Sequence, residues 1–273
     1  MEIFGFSEAT VRFASFAGIF AVMSIAEALW PRRARRESRR RRWPTNLGIL
    51  LADYAAVLAV SFVVPVTAVV AAMWAEQSGT GLFNLARWPG WIEALIAFVI
   101  LDFVIWAQHL VFHKVPVLWR VHRVHHADHD LDATTGVRFH PFEILISIAV
   151  KAAAVIAIGA DPLVVVIFEA AVNGSAVFNH ANLKLPPWLD RTLRAVIVTP
   201  DMHRVHHSVD YRETDSNYGF LLSVWDRLFS VYADQPRLGH DGMTIGISAF
   251  QRAGPERIGW SLLLPFRRGD RGQ

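Results

Sequence analysis

Long apolar runs alternate with polar stretches studded with histidine. Three runs, from about Ala9 to Trp30, Leu47 to Ala75 and Trp91 to about His113, reach the roughly 20 apolar residues that a helix needs to cross a bilayer core. Two shorter runs, Ile144 to Ala160 and Pro162 to Phe178, are joined by the turn signal Gly159-Ala160-Asp161-Pro162. They predict two tight spans or a hairpin within one leaflet. Trp30, Trp43, Trp74, Trp88 and Trp91 sit near the edges of the runs, where a headgroup belt favours tryptophan. The fold expected is all-α: a polytopic integral membrane helical bundle of four or five apolar helices, with a cytoplasmic helical cap built from residues 114–142 and 180–235. Residues 1–273 read as a single membrane domain, with 240–273 as a peripheral tail and 258–266 on the membrane surface. So many apolar runs in 273 residues leave too little polar surface to cover them in water, which argues against a soluble helical protein.

Charge adds an orientation. The residues before the first run include Glu2, Glu8 and Arg12 in place of a basic cluster, so that helix is expected to stay as a span and not be cleaved as a signal. Residues 32–42 hold eight Arg and one Glu, a charge of +7, while the rest of the chain carries −4. Abutting a span, this stretch reads as a positive-inside anchor that touches anionic headgroups, and not as a nucleic-acid surface. With that loop cytoplasmic, counting crossings brings the carboxyl end of the third run, residue 180 and everything after it to the same side. A re-entrant hairpin leaves this parity unchanged.

Composition then identifies the chemistry. The chain has 12 His and no Cys, which excludes thiolate zinc sites, iron–sulfur clusters and cysteine nucleophiles. Eight histidines form three boxes: His109-x-x-x-His113, His122-Arg-Val-His125-His126 and His203-Arg-Val-His206-His207. On a helix, spacings of three and four place side chains on one face. Each box is therefore an edge presenting two or three imidazoles. Neutral imidazole binds zinc, iron, copper or nickel, and one metal takes four to six donors, so eight convergent imidazoles point to two metals. Asp102 shares a face with His109 and His113 and is the candidate for orienting an imidazole or relaying protons. Glu169, Asn173 and His180 form a second aligned stripe; plain interhelical hydrogen bonding would also account for either stripe.

The order HxxxH, HxxHH, a lone His, HxxHH on a small helical membrane protein resembles the fatty acid hydroxylase superfamily, also called the sterol desaturase family. The likeness runs from about Asp102 to Tyr232. It takes in Trp106-Ala-Gln-His109, Thr135-Gly-Val-Arg138-Phe-His140-Pro141-Phe-Glu143, Asn179-His180, Pro200-Asp201-Met202, Asn217-Tyr218-Gly219 and Trp225-Asp226. The resemblance implies a membrane oxygenase with two iron ions that hydroxylates or desaturates a lipid (a fatty acyl chain, sterol, carotenoid or ether lipid), using dioxygen and two electrons. It implies His109, His113, His122, His125, His126, His203, His206 and His207 as ligands, with His180 as the additional one. Some relatives carry a second histidine near His180; here Asn179 and Asn182 flank it, which leaves one metal short of a ligand.

No flavin, haem or nicotinamide motif is visible, so the electrons are expected from a separate donor protein, cytochrome b5-like or ferredoxin-like. Arg120, Arg123, Arg138 and Arg204 beside the boxes would hold an anionic headgroup, dock that donor or anchor the cap. His140 lies near the site, while His129 and His240 read as surface or structural. The rival readings are a di-zinc membrane hydrolase and a membrane metal transporter or binding protein; against the latter, no inverted repeat surrounds the boxes.

Overall fold

The computed structural model describes residues 2, 3, 5–62, 67–86 and 88–268. Among them, five helices are long and apolar enough to cross a membrane: α1 (Glu8–Leu29), α2 (Arg39–Ser61), α4 (Gly90–Lys114), α6 (Pro141–Ile158) and α7 (Pro162–His180). The chain is an all-α, multi-pass membrane protein. A shorter helix, α3 (Ala68–Ser78), buries Ala68, Ala71, Ala72 and Ala75 against α6 and α7, the small-residue packing that lets helices approach closely where no hydrophobic drive separates protein from lipid. Leu101, Val155 and Phe168 join the same core.

The single span expected from Leu47 to Ala75 is a correction. The helix starts earlier, at Arg39, and ends at Ser61; α3 starts at Ala68, after Thr67, whose side chain accepts from the Val70 amide as the N-cap. The part of that run at 63–66 lies outside the described residues. The two shorter runs are separate helices of 18 and 19 residues. Gly159 closes α6 in the left-handed conformation at φ 68°, and the Asp161 side chain caps α7 ahead of Pro162 at its first position.

The carboxyl ends of α1, α4 and α7 and the amino ends of α2 and α6 meet at one end of the bundle, where the cap sits. The cap comprises α5 (Pro116–His126), the turn Thr135–Val137, α8 (Pro187–Leu193), α9 (Pro200–His206), α10 (Tyr211–Thr214) and α11 (Val224–Leu228). The arginine stretch is bound to this cap more than it is open to headgroups. Arg42 is buried and donates to Asp128 at 2.7 and 2.8 Å and to Asp132 at 2.5 Å. Arg39 pairs with buried Glu27, Arg32 with Asp201 and Asp241, Arg33 with the carbonyls of His240 and Met243, and Arg36 with Gln251. Glu27 in turn accepts from the amides of Ala133 and Asn182, so the loop ties α1 and α2 to both halves of the cap.

Arg123, Arg138 and Arg204 are likewise held inside. Arg138 donates to the carbonyls of Val124 and Pro255, to Asn46 and to Ser261; Arg123 donates to the carbonyl of Leu264, and Arg204 pairs with Asp201. Arg120 is exposed and donates to the Pro265 carbonyl. These bonds weave the stretch after Gly239 into the cap, with Met243, Ile245, Ser261 and Leu264 buried; residues 269–273 of the expected tail lie outside the described residues.

Candidate metal centre

All nine histidines predicted as ligands converge where the cap meets the bundle. His109, His113, His122, His126 and His206 form one cluster, and His125, His180, His203 and His207 a second; within each, the candidate ligand atoms lie within 4.8 Å of one another. Each copy of HRVHH serves both clusters. On α5 the i, i+4 pair His122 and His126 enters the first and the intervening His125 the second. On α9 His206 enters the first, and His203 with His207, the residue that ends the helix, the second. A residue three positions from its neighbour on a helix is rotated off the i, i+4 line, which suffices to send it to a different centre. The second cluster has four histidines, one fewer than the first.

Hydrogen bonds fix which nitrogens face inward. His109 Nδ1 donates to the Tyr218 carbonyl at 2.7 Å, His206 Nδ1 to the Ser216 carbonyl at 2.7 Å, His180 Nδ1 to the Ala176 carbonyl at 2.6 Å, and His122 Nδ1 to Glu143 at 2.6 Å. A carbonyl only accepts, so in His109, His206 and His180 the proton is on Nδ1 and Nε2 carries a lone pair. The Nε2 atoms of His109, His122 and His206 nevertheless stand 3.1 Å apart in successive pairs, and His180 Nε2 lies 3.0 to 3.2 Å from those of His125, His203 and His207. Lone pairs brought together in a buried site repel one another unless a cation lies between them. Nitrogen ligands at about 2.1 Å from a common metal, set at right angles, would stand about 3.0 Å apart.

Protonation points the same way. Burial pushes His122 down to about 3. Burial and the neighbouring imidazoles push His125, His126, His203, His206 and His207 well below the ordinary histidine range. At neutral pH these rings are neutral, the form in which an imidazole can bind a metal. The residues present therefore fit two metal ions.

The supporting groups come mostly from the backbone. The turn at 216–219 supplies carbonyls to His206 and His109, and Asn217 between them takes the left-handed conformation at φ 52°. Its side chain ties that turn to Met202 of α9 and to Ala233. Asp226 accepts from the amides of Tyr218 and Gly219 and from Trp106 Nε1. Asp102 accepts from Trp225 Nε1 at 2.7 Å, and no imidazole is its partner. Glu169 pairs with Arg12 and Lys151 within the bundle, away from the histidines, and Asn173 is exposed. His140 caps α6, His129 bonds the Phe250 carbonyl, and buried His240 lies 3.6 Å from Asp201, so none of the three joins a cluster. The residues without an assigned role in the sequence reading are Glu143, Asp226 and those whose carbonyls accept from the imidazoles. Glu143 and Asp226 stood inside recognisable motifs, whereas a carbonyl leaves no mark on a sequence.

Around the first cluster, His113 lies beside a small crevice lined by Trp119, Tyr211, Thr214 and Asp215. Asp215 accepts from Tyr218 and from exposed Lys114.

A family model described as fatty acid hydroxylase matches residues 94–231. Ornithine lipid hydroxylase OlsE of Rhizobium tropici is 32% identical over 154 residues, covering 55% of this chain and 45% of the relative. Human alkylglycerol monooxygenase is 28% identical over 62% of this chain and 37% of its own length. Rat cholesterol 25-hydroxylase is 26% identical over 53% of this chain and 48% of its own length. The chain thus spans less than half the length of each of these relatives. No solved structure matches it.

Proposed function

Because this chain belongs to the fatty acid hydroxylase family, we propose that it is a membrane oxygenase that hydroxylates a lipid drawn from the bilayer, with dioxygen as oxidant and electrons from a separate donor protein of the cytochrome b5 or ferredoxin kind. The observation that carries this reading is the sorting of nine histidines, eight buried and His113 partly so, into clusters of five and four at one end of a five-span bundle. We assign these clusters to two iron ions: His109, His113, His122, His126 and His206 hold one, and His125, His180, His203 and His207 the other. Iron bound there supplies the redox chemistry that activates dioxygen, which zinc lacks. The relatives' names, a hydroxylase of ornithine lipid, a monooxygenase of alkylglycerol and a hydroxylase of cholesterol, favour hydroxylation of an amphipathic lipid over desaturation and over a hydrolytic di-zinc reading.

The chain's own contribution is placement. The carbonyls of Tyr218, Ser216 and Ala176 and the Glu143 carboxylate hold four imidazoles in the tautomer and orientation that leaves Nε2 free for metal. Asp226 and Asn217 hold the turn that carries two of those carbonyls. Asp102 is a positioning residue: through Trp225 it fixes α11 against α4, next to Asp226. The arginine loop, bonded to the cap, is a cytoplasmic loop in this reading, because the positive-inside bias acts while the spans insert, before the cap has folded around those arginines. The site then faces the cytoplasm, where a soluble or membrane-anchored donor reaches it.

The test is a comparison of lipids from cells with and without the chain, alongside His125→Ala. We expect a hydroxylated lipid that appears with the wild-type chain and is lost in the variant. A lipid profile unchanged by both would refute the assignment.

A further inference from the structure

The two clusters share a seam, and two phenylalanines lie across it. Phe139 stacks on His125 of the second cluster, with centroids 4.5 Å apart and planes 10° apart, and lies 6.5 Å from His122 of the first. Phe220 lies 4.9 Å from His109 of the first cluster and 5.9 Å from His203 of the second. The two rings are 6.3 Å from each other. All four imidazoles are buried, yet both phenylalanines are only half-buried. Phe220 also packs on the membrane core formed by α3, α4, α6 and α7. Tyr218 and Trp119 lie on other edges of the first cluster, and Trp119 lines the crevice at His113.

Both rings sit on clamped backbone. The Phe220 carbonyl accepts from Asn179 Nδ2 at 2.7 Å, and the amide before it, that of Gly219, donates to Asp226. Phe139 lies between Arg138, held by four hydrogen bonds, and His140, which caps α6. An apolar surface that touches both clusters, is not fully covered by protein and sits on hydrogen-bonded backbone is suited to holding a hydrocarbon segment in fixed register.

We propose that Phe139 and Phe220 form the surface on which a saturated segment of the lipid rests beside the two clusters, and that they thereby select the carbon that reacts. The proposal rests on the lipid oxygenase reading for its chemistry, because which carbon is attacked depends on placement to within about an ångström. The placement of the pair toward the bilayer can be tested without any turnover.

The chain has no cysteine, so Phe139→Cys and Phe220→Cys each carry the sole thiol. In proteoliposomes we expect N-phenylmaleimide, which partitions into lipid, to label both sites about tenfold or more faster than its sulfonated, charged analogue, each rate being taken relative to that reagent's rate with a free thiol in water. Equal or faster labelling by the charged reagent, or no labelling of a variant that retains its metal, overturns the proposal. The second arm compares Phe139→Ala and Phe220→Ala with the corresponding Leu variants, measuring bound iron and the position of the new hydroxyl by tandem mass spectrometry. We expect the Leu variants to keep iron and the alanine variants to shift the ratio of positional isomers by about threefold or more. If wild type yields a single isomer and every iron-loaded variant yields it in the same proportion, the pair does not select the carbon. If wild type yields no oxidised lipid, the oxygenase reading fails while the labelling arm still decides the orientation of the pair. Should the alanine variants lose iron, the Leu and Cys variants carry the decision.

Discussion

His122 Nδ1 and Glu143 Oε1 are 2.6 Å apart, joining the first HRVHH helix to the first turn of α6. The carboxylate fixes the ring so that Nε2 points at the five-histidine cluster, and it increases the ring's basicity as a ligand. Removing such a partner weakens metal binding by about 10- to 100-fold. We expect Glu143→Gln to bind iron more weakly by that factor at the first cluster while the second stays loaded. Competition titration against a chelator measures this, and unchanged affinity at both sites would show that the bond is incidental.

Gly136 reaches the second cluster through backbone alone. A Cβ built on it would lie 2.5 Å from the carbonyl oxygen of Ala176, the group that orients His180. Gly136→Ala has to push that carbonyl away, because a backbone atom on a packed helix does not yield as a side-chain tip does. The expected result is selective loss of metal from the His125, His180, His203 and His207 cluster, read as a fall from two bound metals toward one. Retention of both would mean that the turn at 135–137 shifts instead.

Arg42 links a spanning helix to the cap through buried carboxylates at 128 and 132. Deleting one partner of a buried ion pair leaves an uncompensated charge and costs about 3–5 kcal/mol. We expect Arg42→Met to lower the unfolding midpoint clearly, and Arg41→Met, at an exposed site paired with Glu37, to leave it nearly unchanged. Equal effects in the two variants would count against the loop as a structural tie.

Acid should destabilise the centre in a defined window. His122 is depressed to about 3 by burial, whereas an unfolded histidine titrates near about 6.5. Because the folded-state value is the lower one, its stabilising contribution is complete above about pH 6.5. It declines as pH falls, by about 1.4 kcal/mol per pH unit, until the folded ring titrates. The other cap histidines shift in the same direction. Thermal melts and metal retention should both be flat above about pH 7 and fall together between about pH 6.5 and 5; a midpoint constant across that interval would contradict the buried, neutral imidazoles.

The spans were legible from apolar length and eight of the nine histidines from spacings of three and four, whereas His180 stands alone in the sequence and was pointed to as a ligand only by the family resemblance. The number of imidazoles pointed to two metals, but not to each copy of the pentapeptide being split between two clusters, since that depends on how α5 and α9 face each other across the seam. Asp102 shows the limit of helical-face reasoning. It lies on the same side of α4 as His109, yet seven residues is about 10 Å along a helix axis, too far for a hydrogen bond, and Trp225 from a distant segment takes its carboxylate. The arginine stretch was legible as charge but not as structure, because its acidic partners at 27, 128, 132 and 201 are scattered along the chain and only folding makes them neighbours.

The most direct test of the account is the source of the oxygen in the product. Cells expressing the wild-type chain are grown under dioxygen enriched in the heavy oxygen isotope, and the lipid that depends on His125 is analysed by mass spectrometry. We expect that lipid to carry one heavy oxygen atom, and to carry none when the label is supplied as water. Label taken from water and not from dioxygen would contradict an oxygenase and point to hydrolytic or hydration chemistry at the two clusters.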